Sequence, residues 1–193
     1  MKKAVILHGT DGAPDHNWFP WLKVQLEGKG YEVWAPELPN NHTPNRQVYN
    51  DFLLSSRWDF TDNLVIGHSS GAVSVLNLLE DERCPHISTA ILVSPWTDSE
   101  RANLGAAGFT IEIFKDLFPK GGFKLGLIKQ KADNFLVIHG DNDPYCPLGQ
   151  AETLARELDC DIIKVPNGLH LTQGAGFYEL PWLTEAMKER GWL

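Results

Sequence analysis

The sequence predicts an α/β fold, an open and mainly parallel sheet with helices packed on both faces. Two observations lead there. Short apolar runs rich in β-branched residues recur along the chain, and segments with helical spacing lie between them. A run without polar alternation suits a strand buried on both faces of a parallel sheet, and alternation of strand and helix is what right-handed βαβ units produce. Ligands of such sheets bind beyond the carboxyl ends of the strands, so functional residues are sought where strands end.

Residues 4–7 (Ala-Val-Ile-Leu) form the first predicted strand, and Trp18, Trp21, Leu22, Gln25 and Leu26 share one face of the helix that follows. Residues 31–34 give the second strand. The Pro- and Asn-rich stretch 36–45 reads as one long surface loop. The third strand, 64–66, leads into a helix marked by Ala72, Val75, Leu76 and Leu79. Residues 90–93, 135–138 and 162–165 supply three more strands, with helices expected over 150–158 and 178–190. Residues 97–131 are longer than a crossover needs and predict either a helical cap over the site or a crossover helix with a decorated loop. No repeat, low-complexity tract or linker divides the chain, so residues 1–193 are expected to form a single domain.

The chain has 193 residues, 42% hydrophobic and 22% charged, an ordinary globular balance. A net charge of -8 sets its field against phosphate backbones and anionic lipid surfaces, so neither nucleic acid nor membrane is an expected partner. No apolar run approaches the roughly 20 residues of a membrane span, and no signal-peptide core follows Lys2 and Lys3. A cytoplasmic location is expected. Cys84, Cys146 and Cys160 contain no C-x-x-C pair, which predicts free thiols rather than disulfides or a thiolate zinc site.

The sequence Gly67-His68-Ser69-Ser70-Gly71 lies between a buried strand and a helix. A serine on so sharp a turn is lifted clear of the sheet, and the two glycines let strand and helix approach without Cβ clashes. Serine is a poor nucleophile at neutral pH and needs a histidine base oriented by a carboxylate. Where the nucleophile sits on such an elbow, the partners follow in the order serine, acid, histidine. That order selects His170, after the last predicted strand, over His139 at the end of the strand before it.

The acid is sought on the loop 139–147, where Asp143, stiffened by Pro144, is preferred over Asp141, with Asp98 a third choice. The oxyanion formed in acyl transfer needs two backbone N–H groups, assigned to Ser70 and to Thr10 in the loop after the first strand. His8, Asp11, Asp15 and His16 form a rival metal cluster, but they lack an H-x-x-x-H spacing, and no metal or cofactor is expected. His68 should project away from Ser69 and serve packing or hydrogen bonding. Trp96, just beyond the fourth strand, is a candidate wall of the substrate pocket and equally a core residue.

These residues resemble the family of small serine hydrolases that includes retinoblastoma-binding protein 9 and the bacterial YdeN proteins. The likeness rests on His8-Gly9-Thr10, on residues 16–22 with the distinctive Trp18-Phe19-Pro20-Trp21, on Gly67-His68-Ser69, and on Asp143-Pro144-Tyr145-Cys146-Pro147. It implies a compact six-stranded, mainly parallel α/β-hydrolase core with little or no cap, and Ser69, Asp143 and His170 as the triad. Such proteins often carry glycine directly before the histidine, where this chain has Leu169. The expected activity is hydrolysis of a small carboxylic ester, thioester or amide through an acyl-enzyme, with a small acyl compound as partner and a protein partner not indicated. The alternative is a protein-interaction module whose hydrolase site is vestigial or secondary.

Overall fold

The computed structural model describes residues 2–193. Six strands, β1 (Lys2–Leu7), β2 (Tyr31–Trp34), β3 (Leu64–His68), β4 (Ile87–Val93), β5 (Ala132–Gly140) and β6 (Asp161–Val165), form one sheet in the order β2-β1-β3-β4-β5-β6. Every neighbouring pair is parallel.

The apolar runs lack alternation because both faces of the sheet are covered. Val5, Leu7, Val65, Ala90, Leu92 and Val137 face one core, shared with α2 (Arg46–Leu54), α3 (Ser70–Glu80) and α5 (Leu148–Leu158). The residues between them, among them Ile6, Ile66, Ile91 and Ile138, face a second core closed by α1 (Phe19–Glu27) and α6 (Pro181–Glu189). The chain leaves β1 for β2 on one side and returns across β1 to β3 on the other. This reversal opens a crevice between the carboxyl ends of β1 and β3.

Several elements differ from expectation. Helix α2 is not among the predicted elements, because polar Asn50 sits on its buried face while apolar Val48 and Phe52 are exposed. It is set instead by Asn45, whose side chain accepts the Val48 N–H at 3.1 Å, and by buried Tyr49 and Leu53. The loop 36–45 is not wholly superficial, because Leu38 is buried. The last helix begins only at Pro181, which suits a first helical position and no interior one.

Residues 97–131 form neither a helical cap nor a full crossover helix. They make four 3₁₀ turns (Ser99–Arg101, Leu104–Ala107, Ile111–Phe114, Lys129–Lys131) and a single turn of helix, α4 (Leu125–Ile128). Gly108, Gly121 and Gly122, all at positive φ, break the segment before any helix can lengthen. Its apolar side chains cluster instead: Leu104, Phe114 and Leu117 pack with Trp96, Cys146 and Val73 of α3 into a strap beside the sheet's carboxyl edge.

Candidate active site

Ser69 joins β3 directly to α3, at φ 57° and ψ -125°. A non-glycine residue held there costs about 1–3 kcal/mol and persists only where its surroundings enforce it. They do so here. The Ser69 N–H donates to the Val93 carbonyl at 2.9 Å, and the Ser69 carbonyl accepts the N–H groups of Ala72 and Val73. A Cβ on Gly67 would fall within the backbone of Gly71, and one on Gly71 within the Leu7 and His8 carbonyls.

The three expected partners meet at this turn. Ser69 Oγ lies 2.9 Å from His170 Nε2, and His170 Nδ1 lies 2.7 Å from Asp143 Oδ2. The other Asp143 oxygen accepts the N–H groups of Tyr145 (2.9 Å) and Cys146 (3.0 Å). Burial alone would raise the Asp143 pKa, but the His170 hydrogen bond and charge, with those two N–H groups, outweigh it and hold the carboxyl below its usual value. Asp143 is therefore a carboxylate that only accepts. His170 must carry its proton on Nδ1, which leaves Nε2 free to accept from the Ser69 hydroxyl.

Asp141 and Asp98 stand elsewhere. Asp141 accepts the Asn167 N–H at 2.8 Å and so ties the loop after β5 to the loop after β6, and Asp98 accepts the Glu100 N–H at 2.9 Å and holds a local turn.

His170 sits between two leucines in left-handed backbone, Leu169 at φ 47° and Leu171 at φ 53°. For branched side chains this conformation is strained by about 1–2 kcal/mol each. Glycine would remove that strain, and this chain carries leucine at both positions. The loop is tied at three successive residues. The Leu169 N–H donates to Asn142 Oδ1 (2.8 Å), His68 Nε2–H to the His170 carbonyl (2.9 Å), and Trp18 Nε1–H to the Leu171 carbonyl (3.0 Å). His68 packs edge-on against Trp18 and Phe19 and lies 5.1 Å, ring to ring, from His170.

Thr10 and Ser70 lie side by side, their side-chain oxygens 2.8 Å apart. Among the described residues neither backbone N–H has a hydrogen-bond partner. The Thr10 loop is anchored by His8. His8 Nε2 accepts the Leu38 N–H at 2.9 Å and Nδ1–H donates to the Gly9 carbonyl at 2.8 Å. Asp11, also of the rival metal cluster, pairs with His42 at 2.9 Å. Both His8 nitrogens are thus committed.

A cavity of about 280 Å³ opens beside Ser69. Its lining includes polar Thr10, His16 and Asn17 and aromatic Trp96, Phe109 and Phe114. Trp96 is both wall and core, 2% exposed and edge-on to Phe114 and Phe118. A larger groove of about 760 Å³ lies at the amino ends of β5 and β6, far from these residues in the fold. Asp143, Cys146 and His170 bring three ligand-type atoms within 4.8 Å of one another. The Asp143 carboxylate accepts from His170 and from the Tyr145 and Cys146 N–H groups, and burial raises the Cys146 thiol well above its ordinary pKa.

Burial holds the His68 pKa down to about 3, with the His170 ring contributing, and lowers His8 and His139 mainly in the same way. In the unfolded chain these imidazoles titrate near 6.5. Below that pH the unfolded chain binds protons that the folded one refuses. The stability they lend is complete above pH about 6.5 and drains away as pH falls toward about 3. At about 1.4 kcal/mol per unit, His68 alone removes about 2 kcal/mol by pH 5. Melting followed by circular dichroism should show Tm falling by several degrees between pH 7 and pH 5, and a flat Tm would contradict the neutral imidazoles.

The comparisons with known proteins follow the same outline. A sequence profile for the serine hydrolase family matches residues 4–189. Hydrolase YdeN of Bacillus subtilis (strain 168) is 28% identical over 182 residues, which cover 93% of this chain and 91% of that protein. Serine hydrolase RBBP9 of Rattus norvegicus is 26% identical over 189 residues, 96% of this chain and 95% of that one. The crystal structure of the ydeN gene product superposes with a TM-score of 0.86 at 25% identity over 98% of both chains, so the six-stranded parallel sheet is an α/β-hydrolase core. With its sheet and nearly its whole length accounted for in this way, the chain belongs to the serine hydrolase family.

Proposed function

We propose that this protein hydrolyses a small carboxylic ester, or a related thioester or amide, through an acyl-enzyme on Ser69. The observation that carries the reading is the unbroken line of hydrogen bonds from Ser69 Oγ to His170 to Asp143, opening into a cavity with an aromatic wall. Ser69 Oγ attacks the acyl carbon while its proton passes to His170 Nε2, and the carbonyl oxygen becomes an oxyanion held by the N–H groups of Thr10 and Ser70. Collapse breaks the bond to the leaving group, which departs with the proton from His170. A water molecule then gives its proton to His170 and its oxygen to the acyl carbon, releasing the acid and restoring Ser69. Asp143 holds the imidazole and steadies its positive charge throughout. The side chains of Trp96, Phe109 and Phe114 favour an apolar acyl group, and desolvation by them strengthens the electrostatic steps.

A fluorophosphonate probe tests this. The native protein should be labelled, with the adduct mapped by mass spectrometry to Ser69, and chromogenic acetate and butyrate esters should be turned over. An unlabelled Ser69 together with no ester hydrolysis would overturn the reading.

A further inference from the structure

We propose that Trp18 and His68 are positioning residues for His170, gripping the main chain of its strained loop so that the imidazole stays in reach of Ser69. The inference rests on the reading of His170 as the base. Its ground is the placement of two buried side-chain donors. Trp18, 0% exposed, spends its indole N–H on the Leu171 carbonyl, and His68, 3% exposed, spends Nε2–H on the carbonyl of His170 itself.

The two carbonyls are consecutive, and they belong to a residue in left-handed backbone and its neighbour. A loop whose leucines resist this conformation relaxes unless something holds it. Buried donors suit the task, since water cannot replace them and each would be left unsatisfied if the loop moved. Both donors also touch one another, with ring centroids 5.9 Å apart, so the two grips form one unit. His68 is fixed by the last position of β3 and Trp18 by the entrance to α1. The base is thereby referred to the same strand that carries the nucleophile. This assigns a task to the Trp18-Phe19-Pro20-Trp21 stretch, which packing alone left as core.

The test uses Trp18→Phe, which keeps the ring and deletes the N–H, with His68→Leu and the donor-keeping His68→Gln. Displacement of a reacting group by about 1 Å costs on the order of 10²-fold in rate. Trp18→Phe and His68→Leu should therefore lower kcat for p-nitrophenyl acetate by about 10- to 100-fold with KM within about twofold, and His68→Gln should recover most of it. The second readout is the proton NMR signal of His170 Nδ1–H, sharp in the native protein and broadened or lost in the two deleting variants. If His68→Leu does not fold, Trp18→Phe and His68→Gln decide. Native kcat and an unchanged His170 signal in Trp18→Phe, or a His68→Gln as impaired as His68→Leu, would overturn the proposal. If the native protein turns over no ester while the His170 signal still depends on both donors, the proposed function fails and the positioning role stands.

Discussion

Ser69→Ala should lower kcat for ester hydrolysis by about 10⁶-fold and Asp143→Asn by about 10⁴-fold, while the double variant should be no slower than Ser69→Ala alone. Non-additivity follows from the proposed roles, because the acid acts only through the histidine and the histidine only through the serine. The size of the Asp143→Asn effect follows from the turn around it. One carboxylate oxygen accepts two N–H groups, from Tyr145 and Cys146, which an amide nitrogen cannot do. The asparagine oxygen is therefore forced toward that turn and its NH₂ toward His170, at the position now occupied by Asp143 Oδ2, 2.7 Å from Nδ1. Two donors cannot share that contact. His170 must release its Nδ1 proton and carry it on Nε2, where it no longer accepts from Ser69. Circular dichroism should show a folded variant, and turnover of p-nitrophenyl acetate measures the loss. An Asp143→Asn protein within tenfold of native kcat would remove Asp143 from the proposed chemistry.

The sheet was legible in the sequence because burial on both faces leaves unalternating runs, and Val65 between Leu64 and Ile66 is a direct instance, each face taking its own core. The elbow was legible because Gly67 and Gly71 are demanded by contact rather than preference. The order of partners then narrowed seven histidines to His170 and drew Asp143 from the loop after β5.

What stayed hidden has a common cause. The strap over the cavity is held by side chains that meet only in three dimensions, such as Leu104 and Phe114 with Trp96, and its 3₁₀ turns carry no periodicity. The base loop shows the same limit. Leu169 and Leu171 occupy backbone that sequence rules reserve for glycine or asparagine, and only the Asn142 oxygen that accepts the Leu169 N–H and the donors of His68 and Trp18, all distant along the chain, account for it. The task of His8 is equally hidden, because its ring nitrogens bond to the Leu38 N–H, thirty residues on, and to the Gly9 carbonyl.

The same substitution at two glycines should have opposite signs. Gly149→Ala lies in the first turn of α5, exposed, with ordinary backbone and nothing within 4 Å of an added Cβ. It should raise stability by up to about 1 kcal/mol through helix propensity and a less flexible unfolded chain. Gly71→Ala places the identical methyl against the carbonyls of Leu7 and His8. Leu7 is the last residue of β1, paired with Gly67 of β3 and fixed by the central ladder, so the backbone there cannot yield as a flexible side chain would. Relief requires α3 to move off the sheet, which opens the core around Ala72, Val75 and Leu76 and parts Thr10 from Ser70. The expected cost is about 4 kcal/mol or more, at the severe end for one substitution. Urea unfolding reads both variants, and the midpoint should fall for Gly71→Ala with m unchanged. A Gly71→Ala protein within about 1 kcal/mol of native stability would mean that strand and helix need not touch, and the elbow would then owe its shape to the Ser69 hydrogen bonds alone.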